Sequence, residues 1–111
     1  MMRTPWIEGE DVAVSTDLRY GPDAAVEVVV RKRSWRFDVS DGGRAVELAG
    51  TPKEWPDVAG DVVERYALNV NRRGVVFVQA NERRLDSVIE RVAECSVALH
   101  EELLDSELGS A

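Results

Sequence analysis

The chain has 111 residues, 44% of them hydrophobic and 32% charged, with 21 acids against 14 bases and a formal net charge of -7. That is one soluble globular domain with enough apolar material for a core, and a composition that excludes a disordered chain. Generic nucleic-acid binding, which needs cations to displace condensed counterions, is not expected from it. No apolar run approaches a membrane span, and the amino terminus MMRTPWIEGED reads as no signal peptide, so the expected setting is cytoplasmic and non-membrane. One cysteine, Cys95, cannot form an internal disulfide or a cysteine metal cluster, which fits a reducing compartment and a packing role.

Val12, Val14 and Thr16 alternate with Asp11, Ala13 and Ser15, so the first element is a strand. Turn chemistry follows at Tyr20-Gly21-Pro22-Asp23. The next strand points Val26, Val28 and Val30 one way and Glu27, Val29 and Arg31 the other, the pattern of a central strand. Lys32-Arg33-Ser34 is read as a tight turn, although it lacks the usual turn residues. Beyond it Trp35, Phe37 and Val39 alternate with Arg36, Asp38 and Ser40, which assigns all three apolar residues to the core.

After Asp38-Val39-Ser40-Asp41-Gly42-Gly43, Val46 and Leu48 alternate with Ala45 and Glu47, so the stretch reads as a hairpin turn between two strands. Thr51-Pro52-Lys53-Glu54 has the form of a capping box, with a helix beyond it carrying Trp55, Val58, Val62 and Tyr66 on one side. Asn71-Arg72-Arg73-Gly74 marks a turn between a short extended piece, 68–70, and an inner strand, 75–80. Asn81 then caps a long helix over 82–107, about 39 Å at 1.5 Å per residue, striped by Leu85, Val88, Ile89, Val92, Cys95, Ser96, Leu99 and Leu103. The order predicts a single α+β domain over 8–108: an antiparallel sheet of five or six strands with two helices on one face, the last long, and flexible termini at 1–7 and 109–111.

The chemistry-bearing motifs are sparse. Counting an EF-hand loop from Asp38 puts Gly42 at the fifth position and Ala49 at the twelfth, where oxygen ligands are required, so no calcium site follows. A phosphate cradle needs a helix after its glycines, and a strand is expected there instead. Cys95 and His100 diverge on one helix, with His100 beside a solvated run of acids, and Leu104 stands where a zincin's second histidine would be. Asp38, Asp41 and Arg44 remain a candidate polar site for ligand or metal chemistry. Arg31, Arg33 and Arg36 around Trp35, together with Leu99 and Leu103 on the last helix, form a candidate interaction surface. No catalytic residue, metal ligand or cofactor is assigned.

Ser15-Thr16-Asp17-Leu18-Arg19, Val26 to Val30, Phe37 to Gly43 and Glu47-Leu48-Ala49-Gly50 together resemble a small bacterial and phage family, the domain of unknown function DUF1828, over roughly residues 12 to 104. The resemblance implies an α+β architecture and a prokaryotic cytosolic setting, and it supplies no reaction. The expectation is a small protein-interaction or accessory module without catalysis, working on a protein partner or as a homodimer through its last helix. The alternative is a ligand- or metal-dependent enzyme using the acids of the Asp38 to Arg44 turn.

Overall fold

The computed structural model describes residues 6–22 and 24–109, with side chains as far as Asp105. Strands β1 (Asp11–Gly21), β2 (Ala24–Lys32) and β3 (Phe37–Ser40) lead into helices α1 (Arg44–Leu48) and α2 (Trp55–Arg65). Strands β4 (Asn69–Val70) and β5 (Val76–Ala80) follow, and a 3-10 turn at Glu82–Arg84 feeds helix α3 (Leu85–Gly109). The strands form one antiparallel sheet in the order β1-β2-β3-β5-β4. The expected α+β fold is therefore present, with five strands, the long last helix, and α1 as a third helix that the alternation of its residues concealed.

Register explains which face is covered. Val30 sits opposite Val39, and Val39 opposite Val78, so Val26, Val28, Val30, Phe37, Val39 and Val76 share one fully buried face. Helix α3 lies across β1, β2, β3 and β5 on that side, and α1 and α2 pack against α3. Val88, Val92, Cys95, Leu99 and Leu103 make its inner stripe, with Leu99 and Leu103 wholly enclosed. At about 25 cal/mol per Å² of apolar surface, such burial is the main stabilising contribution. The opposite face carries Ala13, Val29, Ser40 and Phe77 in one cross-strand row, with Ala13 and Phe77 exposed and Val29 and Ser40 half-buried.

Sheet edges are handled differently at the two sides. β4 has only two residues, too short to template another strand. β1 has eleven, but its pairing with β2 slips between Ser15 and Arg19 and again before Gly21. Thr16 Oγ1 donates to the Val26 carbonyl at 2.8 Å and accepts from the Leu18 amide at 3.2 Å, so a side chain fills the place of a missing ladder bond. The turn expected after β1 holds Gly21 and Pro22, while Asp23 lies outside the described residues.

Several expectations are corrected. The 44–48 segment is a helix because Ala45 and Val46 are both buried, an adjacency that an amphipathic strand cannot provide. Thr51 is no N-cap: it sits at φ 49°, and α2 starts at Trp55 after Glu54, without a side-chain cap. The β2–β3 connection turns at 33–36, one residue later than expected, closed by the Arg33 amide on the Arg36 carbonyl at 2.7 Å. Trp35 consequently leaves the alternation and is 83% exposed. His100 is buried instead of solvated. Asn81 does cap the last helical segment, accepting from the Arg84 amide at 3.0 Å. Of the termini expected to be flexible, Trp6 packs edge to face on Phe37 with ring centroids 5.3 Å apart, while 1–5 and 110–111 lie outside the described residues.

The turn after β4 meets α1 closely. A Cβ on Gly74, at φ +79°, would lie 3.1 Å from two carbons of Val46, whereas one on Gly50, at φ +81°, would meet nothing within 4 Å. Both positions carry left-handed strain for any other residue, but only Gly74 adds a collision. Gly74→Ala should therefore lower unfolding free energy in urea by about 2–3 kcal/mol, and Gly50→Ala by about 1 kcal/mol. Equal losses would contradict the packing described.

Candidate functional site

Asp41, the second acid of the Asp38 to Gly43 stretch, is 2% exposed. It directly follows β3, where its amide donates to the Val76 carbonyl at 3.0 Å and continues the pairing with β5. Its side chain turns back on the chain. Oδ1 accepts the amides of Gly43 at 2.8 Å and Val76 at 2.9 Å, while Oδ2 accepts the Ser96 hydroxyl at 2.8 Å. One carboxylate thus joins the β3–α1 turn, β5 and α3. Gly42 at φ 68° and Gly43 at φ 77° supply the left-handed backbone that lets the Gly43 amide face it.

A phosphate cradle is absent for a reason other than the one expected. A helix does follow the glycines, but it is one short turn, and the approach to it is already filled: the Gly43 amide bonds Oδ1 and the Arg44 amide bonds the Asp41 carbonyl at 3.3 Å. The anion held by this turn is the chain's own carboxylate.

The network extends inward. Ser96 Oγ lies 2.7 Å from the Tyr20 hydroxyl, fully buried on the inner stripe of α3. Ser96 donates its one hydroxyl proton to Asp41 Oδ2, so Tyr20 donates to Ser96, which fixes the direction of both bonds. Tyr20 meets the His100 ring edge to face at 5.5 Å, and His100 Nδ1 is a buried atom without a hydrogen-bond partner. Burial raises the Asp41 pKa from the ordinary carboxylate range, opposed by bonds from Gly43, Ser96, Val76 and Ala45. Burial also pushes Tyr20 up to about 12 and the Cys95 thiol up to about 12, so that thiol is inert packing.

Asp38, Asp41 and Arg44 do not converge. Asp38 faces the side of the sheet away from α3, accepting from Arg33 Nε at 2.7 Å, and Arg44 donates to Glu47 at 2.8 Å on the surface. A hollow of about 260 Å³ is bordered by Asp41 and Arg44, with Glu27 and Val29, but both Asp41 oxygens are already bonded within the fold. Among the described residues no group of three His, Cys, Asp or Glu side chains is placed to hold a metal ion. Ser96, Tyr20 and His100 were not predicted as a cluster. The available signal was Ser96 itself, a hydroxyl on an apolar stripe, which in a folded core requires a partner.

The candidate interaction surface also divides. Leu99 and Leu103 are spent inside the chain's own core, so they offer no surface to a partner. Arg31 pairs with Asp11 at 2.6 Å, an ion pair that holds the Asp11 carboxyl below its usual range, and Arg33 pairs with Asp38. Arg36 makes no ion pair among the described residues. Beside it Trp35 projects from a braced hairpin: the Gly9 amide bonds the Lys32 carbonyl at 2.9 Å, and the Lys32 ammonium lies 5.4 Å from the centre of the Phe37 ring. A hollow of about 690 Å³ runs along this hairpin between Trp35, Arg33, Glu8 and Gln79.

Truncating Asp41 strands two amides and a hydroxyl, so Asp41→Ala should cost on the order of 3 kcal/mol in denaturant unfolding. Asp41→Asn keeps an acceptor for both amides and should cost about 1 kcal/mol. The raised pKa sets the sign of the pH effect. Above the ordinary carboxylate range, but below its own raised value, folded Asp41 retains a proton that the unfolded chain has lost, so its contribution falls as pH rises through that window. Asp41→Asn should remove that decline from a stability-against-pH profile; an unchanged slope would contradict the assignment.

No family model matches the chain, and no solved structure matches it. Over 59 residues it is 39% identical to the 3-dehydroquinate synthase of Synechococcus sp. (strain CC9605), a similarity covering 52% of this chain and 14% of that protein. The chain thus matches only a short part of that enzyme's length.

Proposed function

We propose that this chain is a small protein-interaction module of the cytoplasm, without catalytic machinery of its own, and that the β2–β3 hairpin is its contact point. The observation that carries this reading is Trp35, a tryptophan 83% exposed at the tip of a hydrogen-bonded hairpin. Leaving an indole in water forgoes about 2 kcal/mol or more of burial, and tryptophan and arginine are the residues that most often dominate protein contacts. Bracing by Gly9, Arg36 and Asp38 lowers the ordering cost of binding.

Other readings draw less support. A nucleic-acid role for the arginines is weakened because Arg31 and Arg33 already face carboxylates. An enzyme built on Asp38, Asp41 and Arg44 would need one cavity, and the three side chains serve three separate contacts. The similarity to part of a 3-dehydroquinate synthase is too short to transfer that protein's reaction. No described helix is long and apolar enough to cross a membrane. The resemblance to DUF1828 is compatible with the module reading and adds no chemistry to it.

A photo-crosslinking residue at the hairpin, Ser34→benzoylphenylalanine, tests the proposal in the cells that make the protein. The expected result is a discrete protein adduct, a second copy of this chain or another protein, that disappears when Trp35→Ala is added. No adduct, or adducts indifferent to Trp35, would refute it.

A further inference from the structure

We infer that the partner of the hairpin is a second copy of this chain, with Trp35 of one copy entering the crevice between β1 and α3 of the other. This rests on the hairpin being a contact point, and it names what the hairpin contacts. The crevice has a volume of about 270 Å³, room for an indole ring. Leu18, Ile89 and Ala93 provide its apolar lining, and Asp17, Asp86 and Glu90 its carboxylates. It opens where β1 departs from its ladder: the slip between Ser15 and Arg19 takes Thr16 to Leu18 out of register with β2, with Thr16 still tied to Val26 through its hydroxyl. A bulge that blunts an edge strand also re-aims the side chains it carries.

Charge selects the occupant. The three crevice acids make no ion pair among the described residues, and neither do Lys32 and Arg36 beside Trp35. Two copies of a chain carrying -7 repel in most orientations, because most surfaces present acid to acid. Hairpin against crevice reverses that locally, bringing Lys32 and Arg36, the hairpin cations without an ion pair among the described residues, to Asp17, Asp86 and Glu90 around a buried indole. Such a contact has the anatomy of a desolvated aromatic anchor within a charged rim. It also leaves the inner stripe of α3 undisturbed, unlike a dimer through Leu99 and Leu103. The hairpin leaves the middle of the sheet while the crevice lies beyond its β1 edge, and every copy owns both halves. A reciprocal arrangement closes as a pair, and a non-reciprocal one grows into chains.

Sedimentation velocity of the full chain, from micromolar to millimolar concentration, tests the inference. Wild type should self-associate, and Trp35→Ala should weaken association at least about thirty-fold. Arg36→Glu and Glu90→Arg, both at exposed positions, should each weaken self-association when alone. An equimolar mixture of those two variants should recover it, because reversed hairpin then meets reversed crevice and native meets native. Thermal unfolding of each variant checks that the fold is kept. A strict monomer throughout, association indifferent to Trp35→Ala, or a mixture that fails to recover would overturn self-docking. The broader contact reading would survive any of these if the hairpin crosslinks a different protein in a Trp35-dependent way, and would fall with it if no adduct forms.

Discussion

Taking a carboxylate out of water costs several kcal/mol unless the protein replaces the lost hydration, and Asp41 is replaced on both oxygens by donors from three separate elements. Those donors are far apart in sequence: Gly43 is two residues away, Val76 thirty-five and Ser96 fifty-five. Satisfying one side chain therefore sets where β3 ends, how the chain enters α1, how β5 aligns against β3, and how α3 is rotated over the sheet. Tyr20 adds β1 through its bond to Ser96. A half-satisfied version of this network would be worse than an apolar one, so it favours a single arrangement of the layers.

The two faces of the sheet have different roles as a consequence. α3 spends its apolar stripe on the inner face, including Leu99 and Leu103, and buries the polar Ser96 and His100 beside them. The surface away from that face includes the outer face of the sheet with Phe77, the hairpin with Trp35, the bulged edge of β1, and the acid-rich outer side of α3. The interaction proposed above would place contact on turns and edges held by the packed layers, the usual division of labour between scaffold and loop.

Most of the fold was legible in the sequence because its signals are long. Val26, Val28 and Val30, the run from Val76 to Ala80, and the stripe from Leu85 to Leu103 repeat at strand or helix period over enough residues to exclude alternatives. Failures came where the signal was shorter than the rule needs. Five residues from Arg44 to Leu48 cannot separate a helix from a strand by alternation, and the deciding fact, the burial of both Ala45 and Val46, is tertiary. Trp35 followed the phase of β3 but sits two residues before the segment where that phase applies, inside the turn at 33–36. His100 was judged by its acidic sequence neighbours, although a helix puts it beside Ser96, four residues earlier. The Asp38 to Gly43 stretch was recognised as a turn, but sequence cannot show that its second acid is buried, since the partners Val76 and Ser96 are remote in the chain.

If Asp41 ties the layers together as described, the Val76 amide cannot open without breaking β5, the β3–α1 turn and the α3 contact at once. Native-state hydrogen exchange at that amide measures this directly. The account predicts exchange only through global unfolding, with a protection free energy equal to the stability from denaturant and falling with it in Asp41→Ala. Exchange of Val76 through a local opening well below the global value would contradict the claim that this carboxylate holds the fold together.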